Sequence, residues 1–558
     1  MALSNRSGTH APLPVLLRNN LLVAAFIFAL LELWLPCFFL TDDNLSAGYP
    51  VYTEIGLRLL HGHSPFVSQW LFGGNYDLHT DPMFFNWHPV YLLVSLLAGT
   101  PAHFFMIDAA AFVFFLLAAA GFTYLAHILR EELALELSDG WLMFYTLSYT
   151  YSFLMIATGA SWLSFLGNHS ALPWLAAGIL QKTWRRGLGL VTLFSLHHIL
   201  GGHLAPFISS TIFLTLFAGG VAIWRRSLLP LVSWGAGLGL ALLVALPLLL
   251  PVFQGFLGSH RADGLTVEGM QNSRVPLFVA PGSYLVGTAL WLVKHPSDFH
   301  VYHPALAACA AAWCLFPALL GRSHWRFLPA LCLGLVILVS ILVIRPVWLS
   351  QAIIQVPVLR ALRMPFRELL IFEFFLHLFL VTRPPAFSET VRRAVGGWSL
   401  AVFLIPMLLY APPSFNPMKQ ERRLLFSGEF DAYWQQVHTH LRPEDRVAVV
   451  IPDKYYVEWG DWAPFALLGT HDFCCLAHFR NASGYSVTVP ADQLYLQTPP
   501  VYFFGAFLPK QISDLWKEQP GLKLIVLENL HPLKIVLRAQ DNPDVDLTPY
   551  APHDLAYP

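Results

Sequence analysis

Long apolar runs separated by short polar breaks fill the first three quarters of the chain, and the longest polar interruption follows the first of them. Residues 21–40 are almost wholly apolar and long enough to cross a bilayer as a helix. Further apolar runs occupy 102–129, 140–158, 161–181, 187–200, 203–224, 229–257, 301–320, 327–345, 366–382 and 394–411, several bounded by Gly, Pro or charge. With the first run they predict about eleven spans. The run 89–99 is too short to cross alone. Beyond about Pro412 the pattern changes to mixed charge with short β-like runs, 446–451 and 522–527. Helical spacing over 430–441 precedes the first of these, and Pro443-Glu444-Asp445 marks a turn. The predicted fold is a polytopic α-helical membrane protein carrying a C-terminal outward-facing α/β domain, with an N-terminal lead-in at 1–20, spans over 21–411 and the outer domain over 412–558.

Composition agrees with that class. Of 558 residues, 56% are hydrophobic and only 12% charged, about half the charge of a soluble domain. The mean hydropathy is +0.55. The net charge of −1 and the lack of a basic tail or interleaved basic-aromatic patch exclude nucleic acid as a partner. Residues 1–20 are polar and carry Arg6 and Arg18, as a cytosolic lead-in does; the apolar run that follows is too long for a signal-peptide core. The six cysteines form no CxxC pair, and Cys474 and Cys475 are adjacent, which disfavours a bridge between them.

Lysine and arginine placement orients the spans. With the N-terminus in the cytosol, the inner turns hold Lys182, Arg185 and Arg186, then Arg225 and Arg226, Arg322 and Arg326, and Arg383, Arg392 and Arg393. Arg130 is a weaker member among Glu131, Glu132 and Glu136. The outer loop 41–88 then contains a single basic residue, Arg58. A span at 89–99 would invert every later loop and put the basic clusters outside. One outer segment departs from the rule, holding Arg345, Arg360, Arg363 and Arg367. Guanidinium forks bind phosphate oxygens bidentately, which suits a lipid phosphate at headgroup level; interfacial snorkelling, with Glu368 as ion-pair partner, is the alternative.

The loop 41–88 is the strongest candidate for chemistry. It opens with Thr41-Asp42-Asp43-Asn44, is rich in Trp, Phe and Tyr, and contains His61, His63, His79 and His88. Over 50–60, Val51, Ile55 and Leu59 share one helical face, while Glu54 and Arg58 are spaced i,i+4, as in a short helix lying on the membrane surface.

The order Asp43, Tyr49-Pro50, Leu59-Leu60-His61-Gly62, Pro65 and Leu71-Phe72-Gly73-Gly74 resembles the first outer loop of bacterial YfhO-like membrane proteins, within the wider GT-C superfamily of glycosyltransferases. Gly201-Gly202-His203-Leu204-Ala205-Pro206 and the segment 360–367, with Arg363, Pro365 and Arg367, resemble two later motifs of those proteins. Phe66 stands where the family usually has Trp, and Trp70 comes later. The resemblance implies a GT-C-like transferase in the bacterial inner (cytoplasmic) membrane. It would move a sugar from a polyprenyl-phosphate donor to a glycan, lipid or protein acceptor at the outer face, among membrane lipids. The family's loop carboxylate deprotonates the acceptor hydroxyl, and Asp43 matches it better by spacing than Asp42. A like charge beside an Asp raises its pKa and suits it to that task; equally, either carboxylate caps the helix near Pro50 or is solvated.

For the leaving lipid phosphate the first candidates are Arg363 and Arg367, then Arg261 and Arg274. His169, His198 and His203 cluster at outer helix ends, where they line a polar cavity for sugar hydroxyls or hydrogen-bond locally. A divalent cation at Asp77, His79 and Asp81 is a weaker alternative; no HExxH or compact ligand set is present. His79 otherwise joins the substrate-binding set. Glu32, inside the first span, is a functional suspect by position or a partner for a neighbouring helix. Asn481-Ala482-Ser483 is a glycosylation triplet. The rival functions are a transporter or flippase for a lipid-linked glycan, which would carry charged or broken helices at mid-membrane, and a non-catalytic membrane scaffold.

Overall fold

The computed structural model describes residues 11–41, 43–74, 76–78, 87–135, 137–257, 266–268, 327–356, 359, 362, 365–382, 419–452, 466–470, 472–483, 506–530 and 532–552. Apolar periodicity becomes a bundle of helices: α1 (Leu13–Trp34), α4 (Met106–Glu132), α5 (Asp139–Thr150), α6 (Phe153–Ser161), α7 (Leu163–Ile179), α8 (Trp184–Gly201), α9 (Leu204–Arg225) and α10 (Leu229–Leu257). Between α1 and α4, the loop builds α2 (Tyr49–Leu60), the β1–β2 hairpin (Val67–Ser68 with Tyr76–Asp77) and α3 (Pro89–Ser95). The bundle continues through α11 (Phe327–Ile344), α12 (Val347–Gln355) and α13 (Leu369–Thr382).

Among the described residues four helices are long and apolar enough to cross a membrane, or five if the bent pair α11–α12 is one span. The expected runs 301–320 and 394–411 lie outside the described residues. The run 140–158 divides at Tyr151-Ser152, where the Ser152 hydroxyl accepts from the Met155 amide and caps α6. Laid end to end, α5 and α6 are about 32 Å long, the thickness of a bilayer core. The run 366–382 yields only the 14-residue α13, because a tight turn at Pro365–Glu368 takes up its start. The run 89–99 forms α3 and a following turn rather than a span.

Two polar girdles mark the opposite ends of the bundle. At one, Glu132 holds Lys182 at 2.7 Å and Arg225 at 3.1 Å. Arg225 also donates to the Leu180 carbonyl at the end of α7. Close by, Asp139 joins Arg130 to the Ala11 amide, so the start of α1 and the ends of α4, α7 and α9 share this end. At the other end lie the exit of α1, the start of α4 and the α6–α7 break. The Phe39 amide donates to Asp108, and the Thr41 hydroxyl to the Ala160 carbonyl. Lipid-sized apolar side chains such as Phe26, Leu243 and Phe253 remain exposed on the flanks, as a membrane environment requires.

After the bundle come α14 (Lys419–Phe426), α15 (Glu429–Val437), α16 (Cys474–Ala477), α17 (Ile512–Glu518) and a five-stranded sheet. Its order is β4 (Arg480–Asn481), β3 (Arg446–Val450), β5 (Lys523–Leu530), β6 (Leu533–Ala539) and β7 (Asn542–Asp546). The two β-like runs of the sequence are β3 and β5, parallel neighbours in register Val447↔Lys523. Both faces of β3 are covered: Val447 and Val449 pack with Ile525 and Leu527 beneath α15, and Ala448 and Val450 with Leu515 of α17. The hairpin β5–β6–β7 is antiparallel. The turn before β3 is held by Asp445, whose carboxylate accepts from the Arg442 amide at 2.6 Å.

The loop helix is not a surface float. Residues 49–56 of α2 are all buried, because α3, the 96–99 turn and α16 pack against it. Glu54 therefore does not serve as a surface partner of Arg58. Its carboxylate takes the Ser68 hydroxyl at 2.6 Å and the Gln69 amide at 2.8 Å, while Arg58 donates to the Ser64 carbonyl. Asn481 is fully buried, its side chain donating to the Gly469 carbonyl, so the glycosylation triplet is structural.

Candidate active site at the exit of the first helix

Asp43 stands where the chain leaves α1, and its neighbour Asn44 explains why it points inward. The buried Asn44 amide donates to the carbonyls of Phe39, Gly159 and Ala160, at 2.8–2.9 Å, and its oxygen accepts from the Leu163 amide. One side chain thus ties the loop across the α6–α7 break, satisfying backbone groups that the break leaves without helical partners. Trp162 occupies that break, and its indole N–H donates to the Asp43 carboxylate at 2.5 Å. Asp43 makes no side-chain cap to the helical turn it opens. The capping role is excluded; the carboxylate is held against an indole.

Arg367 reaches the same indole from above. Its guanidinium carbon lies 5.5 Å from the Trp162 ring centroid and 5.8 Å from that of Phe165, within cation–π range. One aromatic residue therefore carries the candidate base on its edge and a candidate phosphate ligand on its face. Arg367 Nη1 lies 3.0 Å from His203 Nε2.

His203 caps α9 through Nδ1, which accepts from the Ala205 amide at 3.1 Å. A guanidinium only donates and a neutral imidazole has one acceptor nitrogen, so the cap and the contact with Arg367 compete for it.

The Gly201-Gly202-His203 motif brings these helices close. A Cβ on Gly167 would meet the Gly201 carbonyl at 2.0 Å, and one on Gly202 would meet Asn168 Nδ2 at 2.1 Å. Asn168 in turn accepts from the His203 amide at 2.6 Å and contacts His198 Nδ1, and His198 Nε2 reaches the Ser210 hydroxyl at 2.6 Å. His198 is thus a buried link that sets Asn168, not a rim group. His169 lies inside the bundle, stacked on Tyr149 at 3.9 Å with Nε2 on that residue's carbonyl.

His88 caps α3 through Nδ1 and gives Nε2–H to His197 Nδ1, whose Nε2 meets the Ser170 hydroxyl; Ser170 donates to the Gly167 carbonyl. Each link fixes the next tautomer, so both rings are neutral structural connectors. Among the described residues no group of three His, Cys, Asp or Glu side chains is placed to hold a metal ion.

Of the other candidates, Asp42, His79, Asp81, Arg261, Arg274 and Arg363 lie outside the described residues. Arg345 is fully buried at the α11–α12 bend, donating to the carbonyls of Leu342 and Leu362. It fastens the segment leading to Arg367 and does not reach headgroups.

Glu32 accepts from the Cys37 amide at 3.0 Å and lies beside Asp108, which accepts from the Phe39 amide at 2.8 Å. Arg422 of α14 approaches this pair and donates to the Pro36 carbonyl. The suspected carboxylate thus shapes the α1 exit and receives α14. Arg422→Gln is expected to lower stability by about 1 kcal/mol, one exposed charged hydrogen bond, and to speed proteolysis within 419–452. A thermal melt and a timed digest check it; unchanged values in both refute the docking role.

Trp162 and Asn44 escaped the sequence reading. The available signal was a tryptophan at the very start of the run 161–181, next to the break that ends 140–158. A scan of protein-family models finds no match to this chain, and no curated protein matches it.

Proposed function

We propose that the protein is a membrane glycosyltransferase of GT-C type, inverting, with a polyprenyl-phosphate sugar as donor and Asp43 as general base at the outer face. The observation that carries this reading is the meeting of Asp43 and Arg367 on Trp162. Asp43 takes the proton of the acceptor hydroxyl, the freed oxygen attacks the anomeric carbon, and the bond from that carbon to the phosphate oxygen breaks. The departing lipid phosphate gains negative charge, which the guanidinium of Arg367 meets. Trp162 N–H holds the carboxylate in place beside the guanidinium.

The orientation follows the same logic. The girdle of Glu132, Lys182 and Arg225 is the cytosolic end under the positive-inside rule. The opposite girdle, with Asp43 and the sheet domain, then faces outward in the bacterial inner membrane. The full set of about eleven spans belongs to this reading.

The test uses proteoliposomes holding the full chain and a polyprenyl-phosphate sugar. Wild type is expected to transfer sugar, and Arg367→Gln to weaken retention of the lipid phosphate about tenfold, the order of one charge-assisted hydrogen bond. Arg367→Lys, which keeps the charge but loses the fork and the stacking on Trp162, is expected to recover only part of it. Movement of lipid-linked glycan across the bilayer without any transfer would overturn the enzyme in favour of a flippase.

A further inference from the structure

A second site lies along α2, away from Asp43. A cavity of about 310 Å³ is walled by Glu54 and Leu57 of α2, Gln69 and Trp70 after β1, and Cys475 with His478 from the sheet domain. Arg58, His61 and His63 form its rim. The loop and the sheet domain are sewn together beside it. The Asn481 amide donates to the Trp70 carbonyl, and the Phe72 amide to the Ser483 carbonyl. Neither part encloses the cavity alone. Its volume is near the lower end of the range for small-molecule sites.

We propose that this cavity binds a saccharide unit carrying an acidic group, as part of the acceptor. The inference rests on the transferase reading above and names the class of its second substrate.

The floor selects hydroxyl groups. Glu54 is 2% exposed, and its carboxylate receives Ser68 Oγ and Cys475 Sγ on one oxygen and the Gln69 amide on the other. A carboxylate offers about four acceptor positions, so one remains on Oε1. Burial also pushes the pKa of Glu54 above the usual carboxylate value, against the pull of those same hydrogen bonds. Whether it accepts or donates a proton, a hydroxyl answers both states, because it does both itself. A fixed ammonium or carboxylate answers only one. Cys475 is no rival nucleophile, since burial pushes its thiol well above the usual range.

The wall and rim supply the remaining recognition. Trp70 is stacked by His478 at 5.5 Å and 18°, which fixes a flat apolar wall against which the C–H face of a sugar ring packs. At the rim, Arg58 uses Nε on the Ser64 carbonyl, which leaves its terminal fork for a ligand. His61 Nδ1 is on the Leu57 carbonyl, and His63 is exposed. A guanidinium with imidazoles on either side favours a carboxylate or a phosphate and disfavours a cation.

The position excludes the reacting unit itself. Asp43 and Glu54 lie on one nearly continuous helical stretch, 44–48 and then α2, so they are about 15 Å apart at helical rise. The cavity therefore holds a distal unit while the reacting hydroxyl lies at Asp43. Remote binding of this kind raises the rate by fixing the reacting end.

The experiment titrates the full-length protein in nanodiscs, by calorimetry, with glucose, glucuronate and glucose 6-phosphate. At least one acidic sugar is expected to bind tenfold or more tightly than glucose, and the two acidic arms separate a uronate site from a phosphate site. Arg58→Gln with His63→Gln, both away from the core, is expected to bring the acidic sugar to the level of glucose. Trp70→Leu is expected to abolish binding of all three. No binding by either acidic sugar, or an unchanged preference in the rim variant, would overturn the site. Asp43→Asn separates the two readings: it should lose transfer and keep saccharide binding. Binding without transfer by the wild type overturns the transferase and leaves the cavity, whereas transfer without binding overturns the cavity alone.

Discussion

Asp43→Asn is expected to cut sugar transfer by ~10²–10⁴-fold, the contribution of a positioned general base, with expression and donor-lipid binding unchanged. The replacement is nearly isosteric and keeps an oxygen able to accept the Trp162 indole N–H at its present 2.5 Å. Geometry at the α6–α7 break is therefore retained, since Asn44 bears backbone contacts there. What is lost is the ability to take a proton. Transfer rates in proteoliposomes, set beside donor-lipid retention, decide it. Wild-type rates in Asp43→Asn, with the protein folded, would remove Asp43 as base. The companion Trp162→Phe deletes the indole N–H and most of the platform under Arg367. A fall in both rate and lipid retention is its signature, because one residue serves both groups.

Gly56→Ala carries the largest expected effect on stability. In a helix interior this exchange normally stabilises by about 1 kcal/mol. Here the new Cβ would sit 1.8 Å from the Ser95 carbonyl oxygen and 2.9 Å from the Ala98 Cβ. The first obstacle is backbone and cannot rotate away, so α2 must lift from the 96–99 turn. Overpacking of this severity costs about 1–3 kcal/mol or more, which outweighs the propensity gain. Lifting α2 also shifts Glu54, so a lower melting temperature and weaker saccharide binding should appear together. Gly189→Ala in α8, with nothing within 4 Å of the new Cβ, is the matched control and should leave the melt unchanged or raise it. Equal melting temperatures for the two variants would remove the close contact as the explanation.

The membrane class and most helices were legible because burial in lipid leaves a local trace, namely uninterrupted apolar length. The strands β3 and β5 were legible for a similar reason, as short runs rich in Val, Ile and Leu between turns. Asp43 and Arg367 were singled out through position and motif, and folding brings both to Trp162. The rest was hidden by distance along the chain. Asn44 joins residues 115 to 119 positions away, and Arg367 meets His203 across 164; no spacing rule connects such pairs. Glu54 and Arg58 matched the i,i+4 pattern of a surface ion pair, yet α16 covers that face and Glu54 turned to Ser68, Gln69 and Cys475.

By itself the chain determined several helices long and apolar enough to cross a membrane and, in its mixed tail, a small α/β sheet region. Only tertiary packing decided which polar groups meet in the candidate site and which are spent inside the fold. His169, His198 and Arg345 had the residue types of ligands, but packing spends their hydrogen bonds on buried carbonyls, an amide and a hydroxyl. Trp162 looked like one more apolar residue until folding placed a carboxylate on its edge and a guanidinium on its face. The physical reason is that a buried polar atom must find a partner, and the partner is chosen by which helices meet.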